Sequence, residues 1–459
     1  MTDEFNIIEL SDSYKVSQYC ILPDDTQSVY SYLESRGGQH PATGFFSLQY
    51  MLKKYMAGQV VTSRKLASSK SLFLQHFGNN IINEAGWQYI IDRHNGNLPV
   101  EIKAVPEGTI VPTHNVLMTV ENTDPKCAWL TNYLETILVQ QWAPATVQGN
   151  SYFCKQRLLE YLEKTGTPGD IHFKLHDFGF RGVSSIETAK LLGSAHLLNF
   201  MGTDTLIALR FLIDHYKADG AVGFSIPATE HSLMTIRGED GELMQMARLL
   251  EKYPTGLVAC VSDSYDIMRA VTNYWPSLRD KIMGRDGVLV VRPDSGNPVE
   301  ILRDVILALM DSFGYEKNEK GYKVLDSHIR TIQGDGINYD SQGEILEEVT
   351  NSRNLISVDN FAFGSGGGLL QAFDRDSQRF AFKCCATQYG DTWYDVWKDP
   401  ITDHGKVSKR GRLKLIKENS TFKTVRQEES GTDILQTVFK NGVLYNELTL
   451  DQCRVNANF

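Results

Sequence analysis

The sequence predicts an α/β fold built on a parallel α/β barrel. Three observations carry that expectation. From about residue 170, short apolar runs recur, each ending in polar or glycine residues, with helix-length segments between them. The chemically unusual side chains gather at the ends of those runs, where barrel enzymes keep their active sites. Ahead of them, the stretch 99–122 alternates apolar and polar residues between Pro and Gly, the pattern of short antiparallel strands. A doubly wound open sheet is the architectural alternative for the same rhythm.

In chain order, Gly86 to Ile91 reads as helix, 99–122 as strands, and Asp124 to Trp142 as a helix with an apolar stripe of Trp129, Leu130, Leu134 and Leu138. The barrel runs follow. IHFKL leads into HDFGFRG, LLNFM into GTD, AVGFSI into PATEH, LVACV into SDSYD, VLVV into RPDSG, IRTIQ into GDG, and the run Val358 to Phe363 into GSGGG. Ser185 to Gly193 and Pro298 to Phe313 are long enough for the helices between. The run tips carry His176, Asp177, Arg181, Asp204, Glu230, His231, Asp263, Arg292, Asp294 and Asp335.

Composition excludes several classes. Of 459 residues, 42% are hydrophobic and 22% charged, which is ordinary globular usage and not that of a disordered or coiled-coil chain. No apolar run of membrane-spanning length occurs, and the first residues are acidic where a signal peptide would be basic. The seven cysteines form no CxxC pair, which argues against a disulfide framework or zinc site and favours a reducing cytoplasm. A net charge of −10 argues against general nucleic-acid binding.

The tips suggest chemistry. Gly364 to Gly368 holds four glycines in five residues between a strand and a helix start, a place where backbone N–H groups suit a phosphate. Arg292-Pro293-Asp294 sets a cation that grips phosphate beside a carboxylate suited to sugar hydroxyls or Mg²⁺. Asp263, Asp294 and Asp335 on neighbouring tips would repel one another unless a cation or hydroxyls satisfy them. His231, next to Glu230, is either a structural residue or a proton shuttle or phosphate acceptor. Phe178, followed by Gly179, is either core or a platform for a flat ring. Lys398 to Lys423 holds eight Lys or Arg against three Asp or Glu, a solvated face or a surface for a polyanion. The residues alone describe a barrel enzyme handling a phosphorylated sugar.

Together, Asp12-Ser13-Tyr14-Lys15, Lys174 to Gly179, Arg181 to Ser185, Gly202 to Thr205, Glu230-His231-Ser232, Ser262 to Asp266, Ile332 to Gly336 and Ala362 to Gly368 resemble the nicotinamide phosphoribosyltransferase family. The resemblance runs over nearly the whole chain. It implies an irregular α/β barrel, here residues 166–385, and a second β-rich α+β domain built from residues 1–165 and the returning segment 386–459. It implies a homodimer with shared active sites. The reaction would join nicotinamide to phosphoribosyl pyrophosphate, giving nicotinamide mononucleotide and pyrophosphate for NAD salvage, with Mg²⁺ and with ATP phosphorylating His231.

By the same resemblance, Phe178 and Tyr14 of the partner subunit would sandwich the pyridine ring, and Asp204 would accept from its carboxamide. Arg181 and Arg292 would lie near the ring and the ribose phosphate. Asp294 would hold the ribose hydroxyls, and Gly334, Asp335, Gly366 and Gly367 would line the sugar-phosphate pocket. Arg36, Arg375, Lys383, Lys398 and Lys406 would meet pyrophosphate or ATP phosphates. Asp263 would support His231 and, with Asp294, hold the metal. Phe180, Thr229 and Ala259 depart from the animal pattern. Nicotinate phosphoribosyltransferase is the nearest alternative, and Asp204 argues against it. A non-catalytic signalling protein and an unrelated barrel phosphatase are the others.

Overall fold

A computed structural model describes residues 5–402, 406–419 and 421–459. The described chain divides into two compact units, one from residues 1–149 with 373–458, the other from 150–372 with Phe459. The division at 149/150 and 372/373 falls earlier than the boundaries read from sequence. The helix Trp142–Thr165 begins in one unit and ends in the other, so no break in composition marks the passage. No helix among the described residues is long and apolar enough to cross a membrane.

The first unit is built on a seven-stranded antiparallel sheet. Its order is Thr392–Asp395, Phe380–Tyr389, Thr26–Ser35, Val116–Asn122, Val100–Ala104, Gln436–Lys440 and Val443–Leu444. Three strands from the first part of the chain therefore lie in the centre, flanked on each side by two strands from its last part. The third strand in that order, Thr26–Ser35, is buried at all but one position despite its Ser and Glu residues. Buried Glu34 is compensated by Arg36 at 2.8 Å and Lys409 at 2.6 Å.

Two sequence expectations change here. The single helix expected over 124–142 is broken into a turn at Pro125–Cys127 and short helices at Leu130–Tyr133 and Glu135–Val139. Trp129 and Tyr133 pack edge-on around Trp87 there, with ring centroids 4.8 and 5.3 Å from it, and tertiary packing overrides the local period. The basic run is also not one free surface. Arg412 pairs with Glu121 at 3.0 Å, and the Lys414 ammonium donates to the Glu429 and Gly431 carbonyls. Leu413–Glu418 and Thr421–Arg426 pair as an antiparallel ladder. Residues 403–405 and 420 of that run, and residues 1–4 of the acidic start, lie outside the described residues.

The second unit holds the parallel sheet. Its strands are β1 (Leu175–Asp177), β2 (Gly202–Thr203), β3 (Thr255–Val261), β4 (Asp286–Arg292), β5 (Ile329–Gln333) and β6 (Phe361–Ser365), in the order β2-β1-β6-β5-β4-β3. Every neighbouring pair is parallel. The segment 224–228 meets both edges. Phe224 bridges Gly202 of β2, and Ala228 bridges Ala259 of β3, both in parallel. Thr203 N–H reaches Phe224 O at 2.9 Å, and Ala259 N–H reaches Pro227 O at 2.9 Å. One irregular stretch thus joins the two edges into a ring, which gives the expected barrel its irregularity and leaves neither edge unpaired.

Local signals explain the helices. Pro298–Phe313 starts with Pro in its first turn, is capped by Asn297 and ends before Gly314 at φ +91°. Leu302, Val305, Ile306, Leu309, Met310 and Phe313 form its buried stripe. Ile186–His196 is capped by Ser185, whose hydroxyl accepts from Thr188 N–H at 3.0 Å. The run LLNFM is not a strand. Leu197, Leu198 and Phe200 are fully buried in the turn after this helix, and β2 is only two residues long. An apolar run of that length does not distinguish a buried helix end from a strand.

Candidate active site

The C-terminal ends of the strands open into a cleft of about 740 Å³ lined by Phe178, Phe180, Arg181, Gly182, Asp204, Thr205, Arg292, Asp294, Gly334, Asp335, Gly366 and Gly367. Nine of these were singled out from the sequence. Phe180, Gly182 and Thr205 were not given a role there.

Phe178 follows β1 directly, its N–H bonded to Ser365 O at 2.9 Å. The half-buried ring lies flat enough on β6 that a Cβ at Gly364 would sit 2.0 Å from it. That corrects the reading of GSGGG as wholly a phosphate loop. Gly364 makes room for an aromatic ring, and only Gly366 and Gly367 line the cleft. The helix after them, Gly367–Leu370, is one turn long. The Arg292 guanidinium sits 5.7 Å from the Phe178 ring centroid.

Asp204 is exposed at the end of β2. Its Oδ1 accepts the Ser225 hydroxyl at 2.5 Å, and Oδ2 accepts no hydrogen bond among the described residues. Ser225 lies on the segment that closes the barrel, and the sequence reading passed over it. Its signal was a hydroxyl inside an otherwise apolar run.

Arg292 and Asp294 form a two-point pair, Nε to Oδ1 at 3.1 Å and Nη2 to Oδ2 at 2.8 Å. Gly334 packs against them, where a Cβ would come within 3.0 Å of Asp294 Oδ1. Asp335 is exposed beside it.

His231 is half exposed, with Nε2 2.9 Å from Asp263 Oδ1 and Nδ1 3.9 Å from Asp294 Oδ2. Asp263 is buried, and its other oxygen accepts the Asp294 N–H at 3.0 Å and the Ser295 hydroxyl at 2.5 Å. Ser295, also missed, ties this carboxylate to the tip of β4. Glu230 does not join the group. Its carboxylate accepts from the Ser232 hydroxyl, so the acid serving the imidazole is Asp263, distant in sequence, and not the adjacent Glu. Asp263 also lacks an open face for a metal, since its side chain is 2% exposed and both oxygens are engaged. Asp335 is exposed, and Asp294 is 20% exposed with both oxygens turned to Arg292.

The other residues named from sequence lie in the first unit, that of residues 1–149 and 373–458. Tyr14 is exposed, with the Lys15 ammonium 5.4 Å from its ring centroid. Burial works against the charge of Arg36, but Glu34 outweighs it and holds that guanidinium above its ordinary range. Lys383 donates to Phe382 O at 2.7 Å, and burial pulls its ammonium below the usual lysine range, with Glu135 opposing and Arg36, Lys398 and Lys15 adding to the fall. These cations therefore feel one another within one patch. Arg375 pairs with Asp376 at 3.1 Å, and Lys398 and Lys406 are exposed.

In the same unit, ligand atoms of His94, Asp124 and Cys127 lie within 4.8 Å of one another. His94 Nε2 already bonds Asp124 Oδ2 at 2.8 Å, and burial pushes the Cys127 thiol up to about 12, so the trio stands as a satisfied polar cluster.

The model of the nicotinate phosphoribosyltransferase (NAPRTase) family matches residues 173–443, and that of the nicotinamide phosphoribosyltransferase N-terminal domain matches residues 6–102. Among similar proteins, a nicotinamide phosphoribosyltransferase of Xanthomonas campestris pv. campestris is 46% identical, covering 99% of this chain and 98% of its own. One from Acinetobacter baylyi is 31% identical over 99% of this chain and 97% of its own. Among solved structures, nicotinate-nucleotide pyrophosphorylase from Pyrococcus furiosus has a TM-score of 0.62 at 15% identity, covering 100% of this chain and 96% of its own. Human nicotinic acid phosphoribosyltransferase has a TM-score of 0.56 at 14% identity, covering 98% and 93%. These two share the fold. With relatives aligned end to end and a family model over most of the barrel, the chain belongs to the nicotinate phosphoribosyltransferase family, among its nicotinamide phosphoribosyltransferase members, and is a pentosyltransferase-type enzyme.

Proposed function

We propose that this enzyme joins nicotinamide to phosphoribosyl pyrophosphate, releasing pyrophosphate and nicotinamide mononucleotide for NAD salvage. The observation that carries the reading is one cleft in which an aromatic face, a carboxylate with one oxygen free, and a cation–carboxylate pair converge at the strand ends. The Phe178 face stacks on the pyridine ring, and Asp204 Oδ2 accepts the carboxamide N–H. Arg181 and Arg292 take the ribose phosphate, Asp294 takes the ribose hydroxyls, and Gly334, Asp335, Gly366 and Gly367 allow close approach of the sugar phosphate. Held in this way, the ring nitrogen lines up with the anomeric carbon. The bond from that carbon to the pyrophosphate oxygen breaks, the carbon–nitrogen bond forms, and no protein nucleophile attacks the sugar.

Asp294 and Asp335 are hard oxygen donors at the cleft mouth and fit a Mg²⁺ ion carried in with the phosphates. Bound there, the ion would offset the leaving group's charge. We further propose that ATP phosphorylates His231. Asp263 engages one ring nitrogen, which leaves the other to form the bond to the γ-phosphorus as ADP departs. Tyr14 would serve a partner subunit's site in a homodimer, and Arg36, Arg375, Lys383, Lys398 and Lys406 would meet pyrophosphate or ATP phosphates, some of them from the partner subunit. Seven free cysteines suit a cytoplasmic setting.

The test is pyrophosphate release with nicotinamide and nicotinate in parallel, with and without ATP. Preference for nicotinamide is expected. Preference for nicotinate would overturn nicotinamide as the substrate.

A further inference from the structure

Beneath the ring platform lies a carboxylate that the proposed chemistry does not use. Asp177, the last residue of β1, is fully buried. Its Oδ1 accepts the Gly179 N–H at 2.7 Å, and its Oδ2 lies 3.4 Å from the Thr203 hydroxyl. Thr205 is also fully buried, and its N–H donates to Thr203 Oγ1 at 3.0 Å. The Asp177 carbonyl accepts the Asp204 N–H at 2.9 Å. On the helix side, Gly193 leaves the space: a Cβ there would stand 3.0 Å from Asp177 Oδ2.

Asp177 therefore grips both neighbours of the platform. Through Gly179 it fixes the turn that presents Phe178, and through Thr203 and its own carbonyl it fixes the strand end that presents Asp204. We infer that Asp177, in its ionised form, is a positioning residue that holds Phe178 and Asp204 in register for the pyridine substrate. The inference rests on the proposed roles of those two residues. The ionised carboxylate accepts from the Gly179 amide with one oxygen and from the Thr203 hydroxyl with the other, whereas protonation turns one of those oxygens into a donor.

Burial raises this carboxyl to about 6, against the hydrogen bonds of Gly179, Thr205 and Thr203, with Asp204 pushing the same way as burial. Asp204 is the charged group facing it. Gly193 on the helix and Ser365, its partner on β6, carry no charge. As pH falls through about 6 the folded protein takes up the proton and the grip slackens.

The experiment measures kcat and KM for nicotinamide and for phosphoribosyl pyrophosphate from pH 5 to 8, in wild type, Asp177→Asn and Thr203→Val, each checked by thermal melting. In wild type, the nicotinamide KM should rise on the acid side of about pH 6 while kcat changes little. Asp177→Asn should raise that KM about tenfold at pH 7.5, flatten the acid limb and leave the phosphoribosyl pyrophosphate KM unchanged. Thr203→Val should shift the nicotinamide KM the same way by less, and it carries the test if the Asn variant fails to fold. A wild-type nicotinamide KM in Asp177→Asn, a retained acid limb, or a parallel loss for both substrates would overturn the inference while wild-type activity upheld the function. A wild type that turns over neither nicotinamide nor nicotinate would overturn both.

Discussion

At the scale of single residues, the site works through carboxylates whose partners are specified. Asp204 has one oxygen committed to Ser225, so a substrate N–H meets the other. Asp204→Asn should lower kcat/KM for nicotinamide about 10- to 100-fold, the effect of losing a hydrogen bond to a charged group worth roughly 1.5–3 kcal/mol. It should also relax the exclusion of nicotinate. Parallel kinetics on both substrates check this, and an unchanged ratio in a folded variant would move selectivity elsewhere. His231→Ala should remove ATP-dependent enhancement and keep weak transferase activity, since the imidazole does not touch the sugar carbon in the proposed reaction. Labelling with γ-labelled ATP should give acid-labile phosphate on wild type only. Asp177 carries a stability signature as well. Its folded value near 6 lies above the ordinary carboxyl value, so the native state keeps a proton that the unfolded chain has lost. Stability should fall as pH rises from about 4 to about 6, by up to about 3 kcal/mol. Asp177→Asn should then melt higher than wild type above that window while binding nicotinamide less well.

At the scale of elements, the decisive contacts are close approaches between strands. The Phe178 ring fills the space over Gly364. Gly364→Ala would push the ring off its place, at a cost of about 1–3 kcal/mol in stability. A displacement of that kind at a positioning group can cost about 100-fold in turnover. Kinetics and melting of the variant test both numbers, and a wild-type KM would show that the ring position is unimportant. Much of this level was legible. The helix Pro298–Phe313 was read with its bounds because Pro, the Asn297 cap and a regular apolar stripe are local signals. The strand Thr26–Ser35 was not read. Its buried Ser and Glu residues break the alternating pattern, and Glu34 is tolerated because Arg36, two residues on, and Lys409, from the far end of the chain, neutralise it.

At the scale of the whole molecule, the thiols offer a direct probe. All seven cysteines are free, and Cys127, Cys154, Cys260, Cys385 and Cys453 are buried. Burial raises the Cys127 and Cys260 thiols to about 12 and that of the half-buried Cys384 to about 11. A thiol reagent at neutral pH should modify exposed Cys20 rapidly and reach the rest only on unfolding. Reductant should leave the melting temperature unchanged. If Tyr14 completes a partner's site, Tyr14→Ala and Asp204→Ala homodimers should each be poor, and mixing them should restore activity through heterodimers with one intact site. No recovery despite demonstrated subunit exchange would remove Tyr14 from the partner's site.

The sequence by itself determined the succession of apolar runs and polar tips, the capped helices and the residue types at the cleft. These depend on neighbours a few positions apart, where periodicity, caps and turn chemistry act. Only the tertiary structure decided that Phe224 to Ala228 closes the barrel, that Asp263 and not Glu230 serves His231, that Gly364 seats Phe178, and that Asp177 lies buried beneath the platform. Each of these joins residues distant along the chain. Their energies come from burial and from polar groups that must find partners, and no local pattern in the sequence records which distant group will supply them.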